Sequence, residues 1–141
     1  MKNNLFCKEY IAILNGILKE KKGTLSLNIA RKENSIIERC VDPNGETAIT
    51  HFELIKIINN LSVVKFRLET GRTHQIRVHS KAIGIPILGD TLYGETSNLI
   101  SRQALHAYRI KFIHPINKKD LEIIAPIPDD MKKFLDLNII E

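Results

Sequence analysis

The sequence has little that would point to a secreted, metal-binding or membrane protein. It contains only two cysteines, Cys7 and Cys40, and their spacing is not that of metal ligands. No apolar run approaches the roughly 20 residues that cross a bilayer. The first ten residues lack the charged, apolar and small-residue segments of a secretory signal. We therefore expect a cytoplasmic protein with reduced cysteines and no membrane partner.

Length and charge narrow the class further. The chain has 141 residues, 43% of them hydrophobic, which is enough for one domain with a core. It has no internal repeat, linker or low-complexity segment. The net charge is +5, which suits a polyanionic partner such as nucleic acid. Many small basic proteins bind no nucleic acid, so charge alone leaves the partner open.

Strand periodicity dominates the chain. Apolar residues alternate with polar ones, or form short β-branched runs, in residues 8–14, 25–29, 52–54, 64–68, 108–112 and 121–123. Asn59-Asn60 predicts one tight hairpin turn, because asparagine tolerates a positive φ. Residues 115–118 predict a second hairpin connection. Residues 31–47, with the turn signal Asp42-Pro43-Asn44-Gly45, predict a loop.

Helices are fewer. Residues 73–83 show no alternation and predict a helix that ends at Gly84, with Pro86 preventing its continuation. Residues 89–101 predict a loop. Asp129 or Asp130 is a candidate cap for a final helix, whose apolar face comprises Met131, Phe134 and Leu135. The predicted class is α+β, with a largely antiparallel mixed sheet and few helices.

Chemistry-bearing side chains concentrate at the junction before the first helix: Arg72, His74, Gln75, Arg77 and His79. A helix N-terminus suits an anion. In the alternative interpretation, the arginines are solvated and the histidines cap or pack. A zinc site is disfavoured, because a separation of five residues puts the two histidines on different helical faces.

Arg77 has small neighbours on a helical wheel, namely Thr73, Ser80 and Gly84. We expect these residues to leave space beside its guanidinium. An arginine with space beside it can hold a carboxylate in bidentate geometry or contact a phosphate.

One long segment makes the sequence recognisable. Residues 69–94, ETGRTHQIRVHSKAIGIPILGDTLYG, closely resemble a signature of the pseudouridine synthases that modify ribosomal and transfer RNA. Further matches follow in family order: KEYIAI at 8–13, GETAIT at 45–50, RQALHA at 102–107, HP at 114–115 and APIP at 125–128. The resemblance covers nearly the whole chain, which is identified as a member of the ribosomal large-subunit type.

The resemblance implies isomerisation of uridine to pseudouridine in structured RNA, without a metal or an organic cofactor. It implies that Tyr10 stacks on the target base and acts as a base toward the sugar. It implies that Arg77 pairs with a catalytic aspartate and that Leu105 belongs to the apolar wall of the uridine pocket. The remaining residues that it marks as RNA-binding or motif-stabilising are Arg72, Thr73, His74 and Gln75.

One element of the family pattern is missing from these residues. The family's aspartate lies in a Gly-Arg-Leu-Asp-x-x-Thr-Ser-Gly segment before the tyrosine strand, and the sequence contains no such segment. We therefore expect residues 1–141 to be the C-terminal part of a catalytic domain whose N-terminal part is absent. We expect the isolated chain to be inactive, and the N-terminal half to be a possible partner. The alternative is a non-catalytic RNA-binding or remnant module with the same fold.

Overall fold

The computed structural model describes residues 6–113 and 116–135. These residues form eight strands and two helices. The strands are β1 (Phe6–Leu14), β2 (Lys22–Ser26), β3 (Ile29–Arg31), β4 (Arg39–Val41), β5 (Ile49–Ile58), β6 (Leu61–Leu68), β7 (Leu105–Ile113) and β8 (Asp120–Ile124). The helices are α1 (Gln75–Ala82) and α2 (Asp129–Leu135).

Six strands build one sheet in the order β2-β5-β6-β1-β7-β8, and β3 pairs with β4 in a separate ladder. Every pairing among these strands is antiparallel. The predicted α+β class is therefore confirmed. None of the helices in the described residues is long and apolar enough to cross a membrane.

The register shows which side chains share a face of the sheet. Directly opposite residues of antiparallel strands point to the same side. Phe66 of β6 lies opposite both Tyr10 of β1 and Phe52 of β5, so these three side chains point to one face. Thr50 points to the same face, because it lies two residues before Phe52 in β5. Helix α1 is bound to Thr50, so it covers this face. Lys56, on the other face by its pairing with Val63, donates to the carbonyl of Leu135 in α2.

Burial follows from this arrangement. The two halves of β1 differ, since Ile11 to Leu14 are all buried in the middle of the sheet while Cys7 to Tyr10 are half-buried. Phe66 is the largest fully buried side chain, at 1% exposure. Burial of the apolar side chains supplies most of the driving force for folding. By contrast, all five residues of the edge strand β8 are exposed.

Two turn predictions are confirmed. Asn59 has φ 54° between β5 and β6, and Gly84 has φ 87° just after α1. Both are left-handed conformations, which asparagine and glycine adopt at lower cost than other residues.

Other boundaries differ from the sequence predictions. The run 25–29 splits between β2 and β3, because the chain leaves β5 near Leu27 and then pairs with β4. The predicted loop 31–47 accordingly contains β4. Helix α1 starts at Gln75 because His74 has φ 56°, outside helical geometry. Asp129 and Asp130 lie within the first turn of α2 and do not cap it. Of the predicted turn 115–118, Pro115 lies outside the described residues.

A buried polar network ties α1 to the sheet. His79 is fully buried, with Nδ1 2.9 Å from Thr50 Oγ1 and Nε2 2.8 Å from the carbonyl oxygen of Leu27. Since that carbonyl only accepts, Nε2 carries the proton and Nδ1 accepts from the Thr50 hydroxyl. Thr50 in turn accepts from the Gln75 amide at 2.9 Å. The imidazole in this network is neutral at pH 7, because burial lowers its pKa.

We predict that His79 makes folding stability depend on pH. Burial lowers the pKa of His79 below its ordinary value of 6.5. The unfolded chain then binds the proton more readily, so stability falls as pH drops through about 6.5. His79→Gln should lose about 2–4 kcal/mol at neutral pH, from two buried hydrogen bonds, and should flatten the pH dependence. Urea unfolding between pH 7.5 and 5 measures both effects. If the free energy of unfolding changed equally with pH in the two proteins, the role assigned to His79 would be contradicted.

Candidate active site

Arg77 on α1 forms a buried ion pair with Asp90. Its Nε donates to Asp90 Oδ2 at 2.8 Å and its Nη2 donates to Oδ1 at 2.9 Å. Asp90 has no exposed surface, while the Arg77 side chain is 15% exposed. Burial raises the pKa of Asp90, but hydrogen bonds from Arg77 and from the backbone N–H groups of Tyr93 and Leu92 outweigh it and lower the pKa. The carboxylate is therefore ionised at neutral pH.

Arg77 therefore holds a carboxylate in the bidentate geometry that its small neighbours suggested, and the expected space beside its guanidinium is filled. Asp90 occupies the Nε–Nη2 edge of the guanidinium, and the Tyr93 ring centroid lies 5.1 Å from Cζ. Within the described residues, Nη1 makes no hydrogen bond. A rigidly held guanidinium with one terminal nitrogen available can bind one further anion.

His74 and Tyr93 extend the cluster. His74 Nδ1 lies 2.8 Å from Tyr93 Oη, and the rings meet edge to face at 76°. Burial and the nearby charge of Arg77 lower the pKa of His74. The imidazole is therefore neutral at pH 7 and accepts from the Tyr93 hydroxyl, which itself accepts from the Arg39 N–H at 2.8 Å. Sequence reasoning overlooked Tyr93, although it lies in the recognised segment.

Gln75 is an interior residue. Its Oε1 accepts from the Thr70 hydroxyl at 2.8 Å and from the Arg72 N–H at 3.0 Å. Its Nε2 donates to the Ile49 carbonyl at 3.0 Å and to Thr50. These bonds use its whole hydrogen-bonding capacity. The sequence predicted that Gln75 contacts RNA, but these internal hydrogen bonds occupy its side chain and do not favour such a contact. The residue instead fixes the turn before α1.

Arg72 and Thr73 form the outer rim of this turn. Arg72 donates from Nε to the Thr47 carbonyl at 2.7 Å, and its Nη1 lies 4.0 Å from a Glu46 carboxylate oxygen. Thr73 is exposed. Both residues are accessible to a large ligand, unlike Gln75.

Tyr10 and Leu105 lie on the sheet face that α1 covers. Tyr10 pairs with Ala107 and Leu105 pairs with Ala12, so both side chains share that face. Both are half-buried and pack against the core. Burial raises the pKa of Tyr10, so its phenol is protonated at neutral pH.

The two motif histidines point to different partners, His74 to Tyr93 and His79 to Thr50 and Leu27. Within residues 6–113 and 116–135, no group of three or more His, Cys, Asp or Glu side chains is arranged to hold a metal ion.

Comparison with known proteins identifies the family of this chain. Residues 1–82 match the family model described as RNA pseudouridylate synthase. A Bacillus subtilis protein described as the uncharacterized RNA pseudouridine synthase YjbO is 45% identical over 134 residues, which are 95% of this chain and 47% of that protein. Ribosomal large subunit pseudouridine synthase D of Haemophilus influenzae is 38% identical over 143 residues, covering 92% of this chain and 44% of that one.

A solved structure agrees. The structure of human RNA Pseudouridylate Synthase Domain Containing 1 superposes with a TM-score of 0.76 at 29% identity, covering 86% of this chain and 55% of that one. The chain thus spans about half the length of the curated relatives it matches.

Proposed function

Because the chain belongs to the RNA pseudouridylate synthase family, we propose that it carries half of a site that isomerises uridine to pseudouridine in structured RNA. The observation that carries the proposal is Arg77. Asp90 holds its guanidinium by two hydrogen bonds and leaves Nη1 available. We assign residues 1–141 to the C-terminal part of the catalytic domain.

In this proposal, Nη1 of Arg77 receives the carboxylate of the family's catalytic aspartate, supplied by the N-terminal half. A guanidinium beside a carboxylate lowers its pKa and fixes its orientation. An ionised and oriented carboxylate is what a nucleophile or a base requires. Asp90 contributes indirectly, since it prevents Arg77 from changing rotamer.

Tyr10 and Leu105 form the base-binding side of the proposed site. The flat phenol of Tyr10 can stack on uracil, and Leu105 adds an apolar wall. Because burial keeps the Tyr10 phenol protonated, it enters the reaction as a hydrogen-bond donor. It becomes a base toward the sugar only if the bound substrate withdraws that proton.

The partners follow from the same proposal. Arg72 and Thr73, on the exposed rim, contact RNA, which we take to be ribosomal or transfer RNA. The imidazole of His74, being neutral, stabilises the motif through Tyr93 and does not bind phosphate by charge. The N-terminal half of the catalytic domain is the protein partner. We propose a cytoplasmic location.

A chimaera tests the proposal. The chimaera is the Bacillus subtilis relative YjbO with its matching region replaced by this chain. The two sequences are 45% identical over 134 residues. We expect the relative's own N-terminal half to supply the aspartate. We expect the chimaera to release tritium from RNA carrying C5-tritiated uridine, because the new bond forms at C5. Arg77→Met within it should lower kcat by about 10²–10³-fold, as for loss of a preorganised charged partner.

A matched control variant is Arg102→Met. Arg102 forms a similar two-bond pair with Asp130 on a half-exposed surface. We expect its effect on kcat to stay within about twofold, since exposed pairs contribute little. A well-folded chimaera that binds RNA without releasing tritium would favour the non-catalytic alternative.

A further inference from the structure

Two arginines face each other in a short ladder, an arrangement that is unfavourable without an anion. Arg31 of β3 lies directly opposite Arg39 of β4. Like charges in directly opposite positions destabilise an antiparallel pair. The ladder has only three residue pairs, and the Lys32–Glu38 ion pair and the buried Ile29 hold it together against this repulsion. The repulsion is removed if a negative group lies between the two guanidinium groups.

A cavity of about 480 Å³ lies beside this ladder. Its lining includes Arg31 and Arg39 together with Arg72, which follows β6 and comes from another part of the chain. Thr73 and Asn44 add further polar groups. The lining also includes one acid, Glu46, which is 76% exposed and 4.0 Å from Arg72. The cavity is therefore strongly cationic.

Backbone carbonyl groups orient two of the arginines without neutralising them. Arg39 donates from Nη1 to the carbonyl oxygens of Ile37 at 3.0 Å and Ile36 at 3.4 Å. Arg72 donates from Nε to the Thr47 carbonyl at 2.7 Å. A carbonyl group carries no net charge, so these bonds leave the charge of Arg39 unbalanced, while the charge of Arg72 is balanced in part by the exposed Glu46. Arg31 is exposed and makes no hydrogen bond or ion pair within the described residues.

We propose that this arginine cavity binds phosphodiester groups of the RNA strand adjoining the target uridine. The inference rests on the proposed function and deepens it. The cavity adjoins the candidate active site, because the Arg39 N–H donates to Tyr93 Oη and the Tyr93 ring lies against Arg77. Guanidinium groups match phosphate oxygens in two-bond geometry. Phosphate contacts of this kind set position and orientation without reading the base sequence.

The test uses the full chain and a fluorescently labelled RNA hairpin with a uridine in its loop. Fluorescence anisotropy gives the dissociation constant between about 50 and 200 mM salt. The site variant combines Arg31→Gln, Arg39→Gln and Arg72→Gln. The control variant combines Lys19→Gln, Lys21→Gln and Lys132→Gln, which are exposed. Both variants remove the same number of charges from the net +5, so non-specific attraction falls equally.

We expect the site variant to bind roughly tenfold more weakly than the control variant. Its slope of log K against log salt should be shallower by about 0.7 for each lost phosphate contact, the value for single strands. Equal losses in both variants would overturn the arginine cavity and the RNA contact of Arg72, and would leave intact the proposed isomerisation, which rests on Arg77. If the unaltered chain binds no RNA even at low salt, the proposed function fails, and the inference fails with it.

Single substitutions of Arg31 separate binding from folding. Because Arg31 has no partner in the described residues, Arg31→Gln should leave the urea midpoint unchanged or raise it slightly. Arg31→Lys keeps the charge and should retain most of the salt slope. If Arg31→Gln folds stably and its RNA affinity and salt slope are unchanged, Arg31 is not part of the site.

Discussion

The 141-residue chain on its own is expected to release no tritium from RNA that carries C5-tritiated uridine. The reaction proposed above needs a carboxylate, from the N-terminal half, that acts on the sugar of the target nucleotide. The phenol of Tyr10 cannot replace it, because burial raises its pKa and keeps it protonated. The imidazole of His74 is neutral, because burial and Arg77 lower its pKa.

Asp90 is the carboxylate nearest to the arginine, and it too is unsuitable. It is fully buried and accepts hydrogen bonds from Arg77, Leu92 and Tyr93. Moving it to the substrate would break all of these bonds, and an unpaired buried charge is costly. Adding the N-terminal half in trans should therefore restore tritium release if the halves associate.

Restoration should disappear when the aspartate of that half is changed to asparagine. This control separates chemistry from folding, because asparagine keeps the shape and removes the charge. Turnover by the purified chain alone, free of contaminating synthase, would show that the catalytic group has been misplaced.

Arg77→Met is expected to lower the free energy of unfolding by about 3–5 kcal/mol, the usual cost of removing one partner from a buried ion pair. The substitution leaves Asp90 charged and without its main hydrogen-bond donor in the interior. Asp90 also holds the turn at Leu92 and Tyr93, so loss of the pair should loosen the loop after α1. Urea unfolding monitored by circular dichroism measures the change.

The matched control is Arg102→Met, which removes a pair of the same geometry whose side chains are each 38% exposed. We expect it to cost at most about 1 kcal/mol. A double-mutant cycle with Arg77→Met and Asp90→Asn then isolates the coupling of the buried pair. A coupling no larger than that of the Arg102–Asp130 pair would contradict the role of burial.

The Arg77–Asp90 pair should also affect how the free energy of unfolding changes at acidic pH. Since the folded state lowers the pKa of Asp90, the unfolded chain takes up the proton first as pH falls. The stabilisation is present above the unfolded pKa of about 3.9 and is lost as pH falls through the lower folded value. Arg77→Met should therefore shrink this loss, because it removes the chief cause of the lowered pKa.

Local patterns in the sequence determined most of the fold. The alternation in Phe52–Leu54 and Val64–Leu68, with Asn59-Asn60 between them, is the hairpin of β5 and β6. Gly84 ended α1 as expected. Such features depend on residues only a few positions apart in the sequence, so a periodic pattern can predict them. The motifs in the sequence likewise indicated the family, and the family match of residues 1–82 confirms it.

Only the tertiary structure decided what each site residue contacts. Arg77 finds Asp90, thirteen residues later, across a loop that has no periodicity. Gln75 faces the interior because the left-handed backbone of His74 redirects the chain before α1. Arg31 lies opposite Arg39 because two separate segments pair as β3 and β4. The same physical reason applies to all three. A side chain's partner depends on which segments lie together in the fold, and a local sequence pattern contains no information on the distance between segments.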